Sequence, residues 1–186
     1  MIADKIRLTK AKIRTKILAG LKNKKEGELS EKSRLVKNAL FRSQLFKRAK
    51  TVMFYMSMAR EVDTTEMIRE ALRLGKKVVV PVCDGNRKIV PCELKRRGAL
   101  LRGPYGILEP ARKTPVDLEE LNLVIVPGLA FDKRGARLGR GKGYYDYFLT
   151  RLPKDAKSIG LAFDFQILPS VPTADHDVNV HKVIFA

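Results

Sequence analysis

The sequence predicts an α/β fold: a largely parallel sheet flanked by helices, preceded by an N-terminal helical pair. Three observations carry this. Short continuous apolar runs recur after residue 50, as in VMFYM at Val52–Met56, VVVPV at Val78–Val82, LVIV at Leu123–Val126 and IGLAF at Ile159–Phe163. Continuous rather than alternating runs mark strands buried on both faces. Helical patterns and turn residues lie between them, which is the alternation of a layered α/β sheet. The first fifty residues, by contrast, show only helical periodicity.

In chain order, Ile2, Ile6, Ile13, Ile17 and Leu21 recur at four- and seven-residue steps with cations between them, giving an amphipathic helix with a basic outer face. Asn23–Leu29 reads as a loop. Ser30 then caps a second helix with Leu35, Val36, Ala39, Leu40 and Phe41 inward. After the first strand, Asp63 or Thr64 caps a helix that Gly75 ends. Pro81 puts the end of the next strand at a sheet margin. Ile89–Leu94 is a further strand, and residues 95–120 hold no long periodic segment. Pro127–Gly128 stops the Leu123–Val126 strand. Gly143–Leu152 reads as a helix with Tyr144, Tyr147, Phe148 and Leu152 on one side, and Val183–Phe185 closes the sheet. At 186 residues the chain buries a core without staples and fits a single domain over 1–186.

The formal charge of +18 is uneven: residues 1–50 carry 16 Lys and Arg against 4 Asp and Glu, the remainder 22 against 16. That excess raises nucleic acid, a membrane surface or a small polyanion as partner. A nucleic-acid-binding protein is the alternative reading, but no base-reading motif is present, Trp is absent and aromatics are 7% of the chain. Cys83 and Cys92 are too few for a zinc framework or disulfide scaffold and read as small interior side chains. No run approaches the ~20 apolar residues of a membrane span. The N-terminus lacks the apolar core of a secretory signal, so the cytoplasm is the simplest compartment.

The most informative stretch is RLGRGKGYYD, Arg137–Asp146. Gly139, Gly141 and Gly143 alternate ahead of a helix, and such a loop exposes backbone N–H groups suited to phosphate. Arg137, Arg140 and Lys142 add charge-assisted donors. A Walker A loop needs Ser or Thr after its Lys, but Gly143 follows Lys142. Neither the dinucleotide GxGxxG spacing nor the kinase glycine loop with its downstream lysine fits. Local chemistry thus reads a phosphate cradle of no standard type. Asp146 follows the glycines, and Asp175 and Asp177 lie near the C-terminus. A pair of these could hold Mg²⁺ against nucleotide phosphates, or could be solvated loop carboxylates. His176 and His181 read as surface or hydrogen-bonding side chains.

The wider segment VIVPGLAFDKRGARLGRGKGYYDYFL, Val124–Leu149, closely resembles the signature of the 5-formyltetrahydrofolate cyclo-ligases, or 5,10-methenyltetrahydrofolate synthetases. Lys10-Ala-Lys-Ile-Arg14, the segment Tyr55–Thr64 around Glu61, and Val171–Asp177 resemble further motifs of that family, in order and spacing. The resemblance implies a three-layer Rossmann-like fold, a monomer, small-molecule substrates, and ATP with Mg²⁺. It implies the ATP-driven closure of 5-formyltetrahydrofolate to 5,10-methenyltetrahydrofolate through a phosphorylated N5-iminium, releasing ADP and phosphate. Carried over by position, the ATP contacts are Lys10, Arg14, Arg137, Leu138, Gly139, Arg140, Gly141, Lys142, Gly143, Tyr144 and Tyr145. The folate contacts are Met56, Glu61, Arg140 and Tyr144, the catalytic pair is Arg140 and Tyr145, and the metal carboxylates are Asp146 and Asp177. By residue pattern alone Met56 is core packing and Glu61 an exposed charge opening a helix; Tyr144 is either core or the folate contact that the resemblance implies.

Overall fold

A computed structural model of the chain describes residues 2–84, 88–103 and 106–186, with side chains from residue 4; the inward side chain expected of Ile2 lies outside the described residues. The N-terminal helices are α1 (Ile2–Lys22), α2 (Glu26–Arg42) and the short α3 (Gln44–Arg48). Along α1, Ile17 and Leu21 are buried and Lys5, Arg7, Lys12 and Lys16 face out, while Lys10 is buried. The loop expected at Asn23–Leu29 is shorter, because α2 begins at Glu26 rather than after Ser30. Glu26 and Glu28 meet the positive end of the helix in its first turn, and buried Leu29 anchors that turn to the core. Ser30 therefore caps nothing. Val36 and Leu40 face inward as expected, but Leu35 is 44% exposed. Ser43 ends α2 and caps α3, its hydroxyl accepting from Phe46 N–H at 3.2 Å.

The main sheet contains β1 (Thr51–Met53), β2 (Lys77–Cys83), β3 (Ile89–Glu93), β6 (Leu123–Val126), β9 (Lys157–Ala162) and β11 (Lys182–Phe185), in the order β11-β9-β6-β1-β2-β3. Every neighbouring pair is parallel except β2–β3. Alternation along each strand fills two cores. Val52, Val78, Val80, Leu123, Ile125, Ile159 and Leu161 pack toward α1 to α3 and α4 (Thr65–Arg73). Met53, Val79, Val124, Val126 and Ala162 pack on the opposite face with Phe148 and Leu149 of α5 (Tyr144–Leu149). The sheet is covered on both sides, which gives the expected three layers and explains the continuous apolar runs.

The remaining differences are local. Asp63 supports the start of α4, accepting from Thr65 N–H at 2.9 Å, and Gly75 ends it at φ 75°. Pro81 lies within β2 rather than at its end, facing Pro91 of β3. Leu94 N–H donates to Val78 O, so alternation places the Pro81–Pro91 pair where the two strands exchange no hydrogen bonds. On its other side the β1 segment still donates Phe54 N–H to Val79 O, and the next bond of that parallel ladder would need an N–H at residue 81. Pro81 therefore costs no bond to β3 and ends the pairing with β1. α5 ends at Leu149, not Leu152, and Tyr147 points outward at 48% exposed. Residues 95–120 contain a hairpin of β4 (Leu100–Arg102) and β5 (Leu108–Pro110). A small sheet of β7 (Ala130–Asp132), β8 (Arg137–Leu138) and β10 (Ile167–Leu168) was not expected.

Candidate functional site

The chain leaves β1 for β2 on one side of the sheet, and β6 lies on the other side of β1. In an open parallel sheet this reversal leaves a crevice beyond the carboxyl ends of the two strands. Tyr55 and Met56 follow β1 there, and Pro127 and Gly128 follow β6. A cavity of about 650 Å³ occupies that position. Its wall includes every site residue expected from the sequence: Lys10, Arg14, Met56, Glu61, the whole of Arg137–Asp146, and Asp177.

The glycine loop forms one side. β8 delivers Arg137 and Leu138, and β8 pairs with β7, so the loop starts from a rigid hairpin. Leu138 itself is core, 1% exposed, with its carbonyl accepting from Leu129 N–H at 2.7 Å. Its place at the site is therefore through its backbone. Gly141 has φ 98° and Gly143 φ 73°, conformations in which a side chain is strained. Gly143 is the left-handed residue at the entry to α5. That helix has only six residues, so the loop's own amides and cations dominate the local field rather than a helix dipole.

Helix α1 supplies the opposite side. Arg14 Nε donates to the Gly139 carbonyl at 2.9 Å, and Lys10 Nζ donates to Asp177 Oδ2. Both members of the Lys10–Asp177 pair are only 10% exposed at their side chains. Burial alone would raise the Asp177 carboxyl, but Lys10 and the Ala174 N–H hold it below the ordinary carboxylate range. Arg137 lies beneath the loop with its side chain 4% exposed, donating to Asp146 Oδ1 at 2.7 Å. Arg137, which also lines the cavity, thus supports Asp146 from below. Asp146 Oδ1 also accepts from Val178 N–H at 3.4 Å, which sets it beside the residue that follows Asp177.

Glu61 and Arg140 meet across the cavity. Arg140 Nη2 and Nε donate to Glu61 Oε1 at 2.9 and 3.2 Å, while Glu61 Oε2 accepts from Met58 N–H at 3.0 Å. The residue expected to be an exposed charge by pattern alone is 15% exposed at its side chain. Met56 packs partly against the core and partly lines the cavity. Tyr144 likewise packs on the second core and lines the cavity. Tyr145 is the unusual member. Its hydroxyl is buried without a hydrogen-bond partner among the described residues, as is Arg137 Nε, and the Arg137 guanidinium lies 5.9 Å from the Tyr145 ring centre. Burial pushes this phenol well above its ordinary pKa, and the Glu61 carboxylate adds to the shift. A buried hydroxyl without a partner is costly unless a ligand completes it.

Sequence reasoning missed several wall residues, among them Arg7, Tyr55, Cys83, Ile107 and His176. Arg7 was within reach of it, since it stands one turn before Lys10 on the same helical face. The others depend on strand ends and loops converging. Among the described residues no three His, Cys, Asp or Glu side chains group closely enough to hold a metal, and no helix is long and apolar enough to cross a membrane.

Comparison with known proteins agrees with this geometry. A family model described as the 5-formyltetrahydrofolate cyclo-ligase family matches residues 7–186. A Mus musculus protein named 5-formyltetrahydrofolate cyclo-ligase is 29% identical over 197 residues, spanning 100% of this chain and 97% of its own. An Arabidopsis thaliana relative is 31% identical, across 97% of this chain and 75% of its own, and is named as mitochondrial, so the family is not confined to the cytoplasm. The solved Aquifex aeolicus 5,10-methenyltetrahydrofolate synthetase is similar at a TM-score of 0.85 and 33% identity, covering 95% of this chain and 89% of that one. By its sequence from residue 7 to the C-terminus, and by its fold, the chain belongs to the 5-formyltetrahydrofolate cyclo-ligase family.

Proposed function

We propose that the chain closes 5-formyltetrahydrofolate to 5,10-methenyltetrahydrofolate at the expense of ATP, in the cavity beyond β1 and β6. The observation that carries this reading is the convergence of three sequence-distant groups on one cavity: the α1 cations, the Glu61 turn and the glycine loop. The formyl oxygen of the substrate is a poor leaving group. In the proposed sequence it attacks the γ-phosphorus of ATP; its bond to phosphorus forms as the β,γ-bridging bond breaks, and ADP leaves. N10 then adds to the activated formyl carbon, the carbon–oxygen bond breaks with loss of phosphate, and the N10 proton passes to solvent.

In this reading the Gly139–Gly143 amides, Lys142, Lys10 and Arg14 bind the triphosphate. Arg140 stands where the phosphoryl group moves, and its fork suits developing charge on equatorial oxygens. Glu61 accepts hydrogen bonds from the pterin's N–H edge; its carboxylate has lone pairs beyond those used by Arg140 and Met58. Tyr145 offers its unpartnered hydroxyl to the reacting group, and Met56 and Tyr144 supply apolar contact for the pterin. Asp146 and Asp177 fit a Mg²⁺ site of the nucleotide-borne kind, in which one or two carboxylates suffice and phosphates and waters complete the shell. Magnesium bound there would neutralise triphosphate charge.

The test is spectroscopic. Incubation with 5-formyltetrahydrofolate and Mg-ATP should produce the methenyl absorbance only when all three components are present. Absence of any ATP-dependent product at high enzyme concentration would overturn the reading, and tight salt-dependent RNA binding in its place would favour the nucleic-acid alternative.

A further inference from the structure

Among the described residues, Arg60 is the one non-glycine residue with a positive φ, at 66°. It stands immediately before Glu61, in a turn closed by Glu61 N–H donating to the Met58 carbonyl at 3.1 Å. The third position of a turn with positive φ ordinarily takes Gly or Asn. An arginine there is strained, and such strain persists where the surroundings over-determine the conformation.

The guanidinium shows what does so. Arg60 Nη1 donates to the carbonyl of Leu21 at 2.6 Å and to that of Lys24 at 2.9 Å. Leu21 lies in the last turn of α1 and Lys24 just beyond its end, where acceptors outnumber donors and a cation meets the negative end of the helix. Earlier in the same helix, Lys10 reaches Asp177 and Arg14 reaches Gly139. Helix α1 is therefore pinned to the glycine loop at one end and to the Glu61 turn at the other. Arg60 is not on the cavity wall.

We propose that Arg60 is a positioning residue: by locking the Met58–Glu61 turn onto the end of α1, it sets the Glu61 carboxylate at a fixed reach from the α1 and loop cations. The proposal rests on the cyclo-ligase reading, with Glu61 on the folate side. Arg60→Gly is the informative variant, because glycine keeps the backbone conformation without strain while the guanidinium is lost. The KM for 5-formyltetrahydrofolate should rise about 10-fold, the loss expected of charge-assisted hydrogen bonds to a partly exposed site, while the KM for ATP stays nearly constant. Arg60→Lys, which retains one cation near the same carbonyls, should recover part of the effect. In a Glu61→Gln background, Arg60→Gly should add nothing further to the folate KM, since the carboxylate it positions is gone. An unchanged folate KM in Arg60→Gly, or full additivity with Glu61→Gln, would overturn the proposal and assign Arg60 to helix capping alone. Either result comes with active wild-type enzyme and so leaves the cyclo-ligase reading intact, whereas an inactive wild type would remove both.

Discussion

Replacing Arg140 by alanine separates catalysis from structure at the glycine loop. Arg140 holds Glu61 through two contacts at 2.9 and 3.2 Å, but its side chain is 43% exposed. With its cationic partner so open to water, the pair contributes about 0–1 kcal/mol to stability. For a chain of this length that moves the thermal midpoint by about 2–4 °C at most. A preorganised donor aimed at a moving phosphoryl group is worth more: losing one lowers turnover by about 10²–10³-fold, or about 2.7–4 kcal/mol of barrier. The assay is the initial rate of methenyl absorbance at saturating folate and Mg-ATP, measured beside a thermal melt in the same buffer. Arg140→Ala should lose turnover with its midpoint nearly in place. Arg140→Lys should fall between, because an ammonium restores charge without the planar fork. Unchanged turnover in Arg140→Ala would make this residue surface charge and refute its role in transfer. A collapse of the midpoint would show instead that the Glu61 pair holds the fold.

Other expectations follow from the same geometry. Gly141→Val puts a β-branched side chain at φ 98°, with its Cβ about 3.4 Å from Arg14 Cζ; strain of about 1–3 kcal/mol should rearrange the exposed loop and weaken ATP roughly 10-fold, read as KM for ATP. Intact ATP affinity would refute the backbone cradle. Glu61→Gln should raise the KM for folate more than that for ATP, and the reverse order would move Glu61 out of the pterin site. His181 accepts the Ser158 N–H at Nδ1, and burial, with Lys157 nearby, lowers its pKa. The shift favours the neutral ring in the folded form, so its contribution to stability is present above about pH 6.5 and is lost as pH falls below that through the lower folded value. His181→Gln should flatten the dependence of the melting midpoint on pH in this range. Asp132 behaves as an acid-side counterpart: burial would raise it, but the N–H groups of Val171, Ala136 and Arg134 hold it below the ordinary range. Its contribution is present above about pH 3.9 and is lost as pH falls through the lower folded value; Asp132→Asn should reduce that loss in denaturant titrations.

The parts of the fold that were legible in the sequence are those whose burial covers both faces. Leu123–Val126 is found at its expected bounds because every residue in it is buried, and the run has no competing period. The small β7–β8–β10 sheet was not legible, since strands of two or three residues are too short to show alternation. Gly27 disguised the start of α2: a glycine there costs about 1 kcal/mol, but buried Leu29 and the two first-turn glutamates outweigh it. Tyr147 was misplaced for a related reason. An aromatic at helical spacing suggests core, yet α5 is too short to bury more than one side, and Phe148 takes it. At the site the glycine loop's place on the cavity wall was legible from local chemistry, as its spacing and charge suit a close anionic ligand. The Glu61–Arg140 and Lys10–Asp177 pairs were not, because each joins segments brought together only by the order of the sheet. The Arg137–Asp146 pair was equally hidden, since nothing in the sequence shows that Arg137 is buried.

The central claim is that the formyl oxygen attacks phosphorus in this cavity and departs with it. Labelling that oxygen with ¹⁸O and following it through turnover tests the claim most directly. The account predicts that the label appears in inorganic phosphate, matched to methenyl product formed and to ADP released. Label recovered in water, or product formed without labelled phosphate, would contradict it.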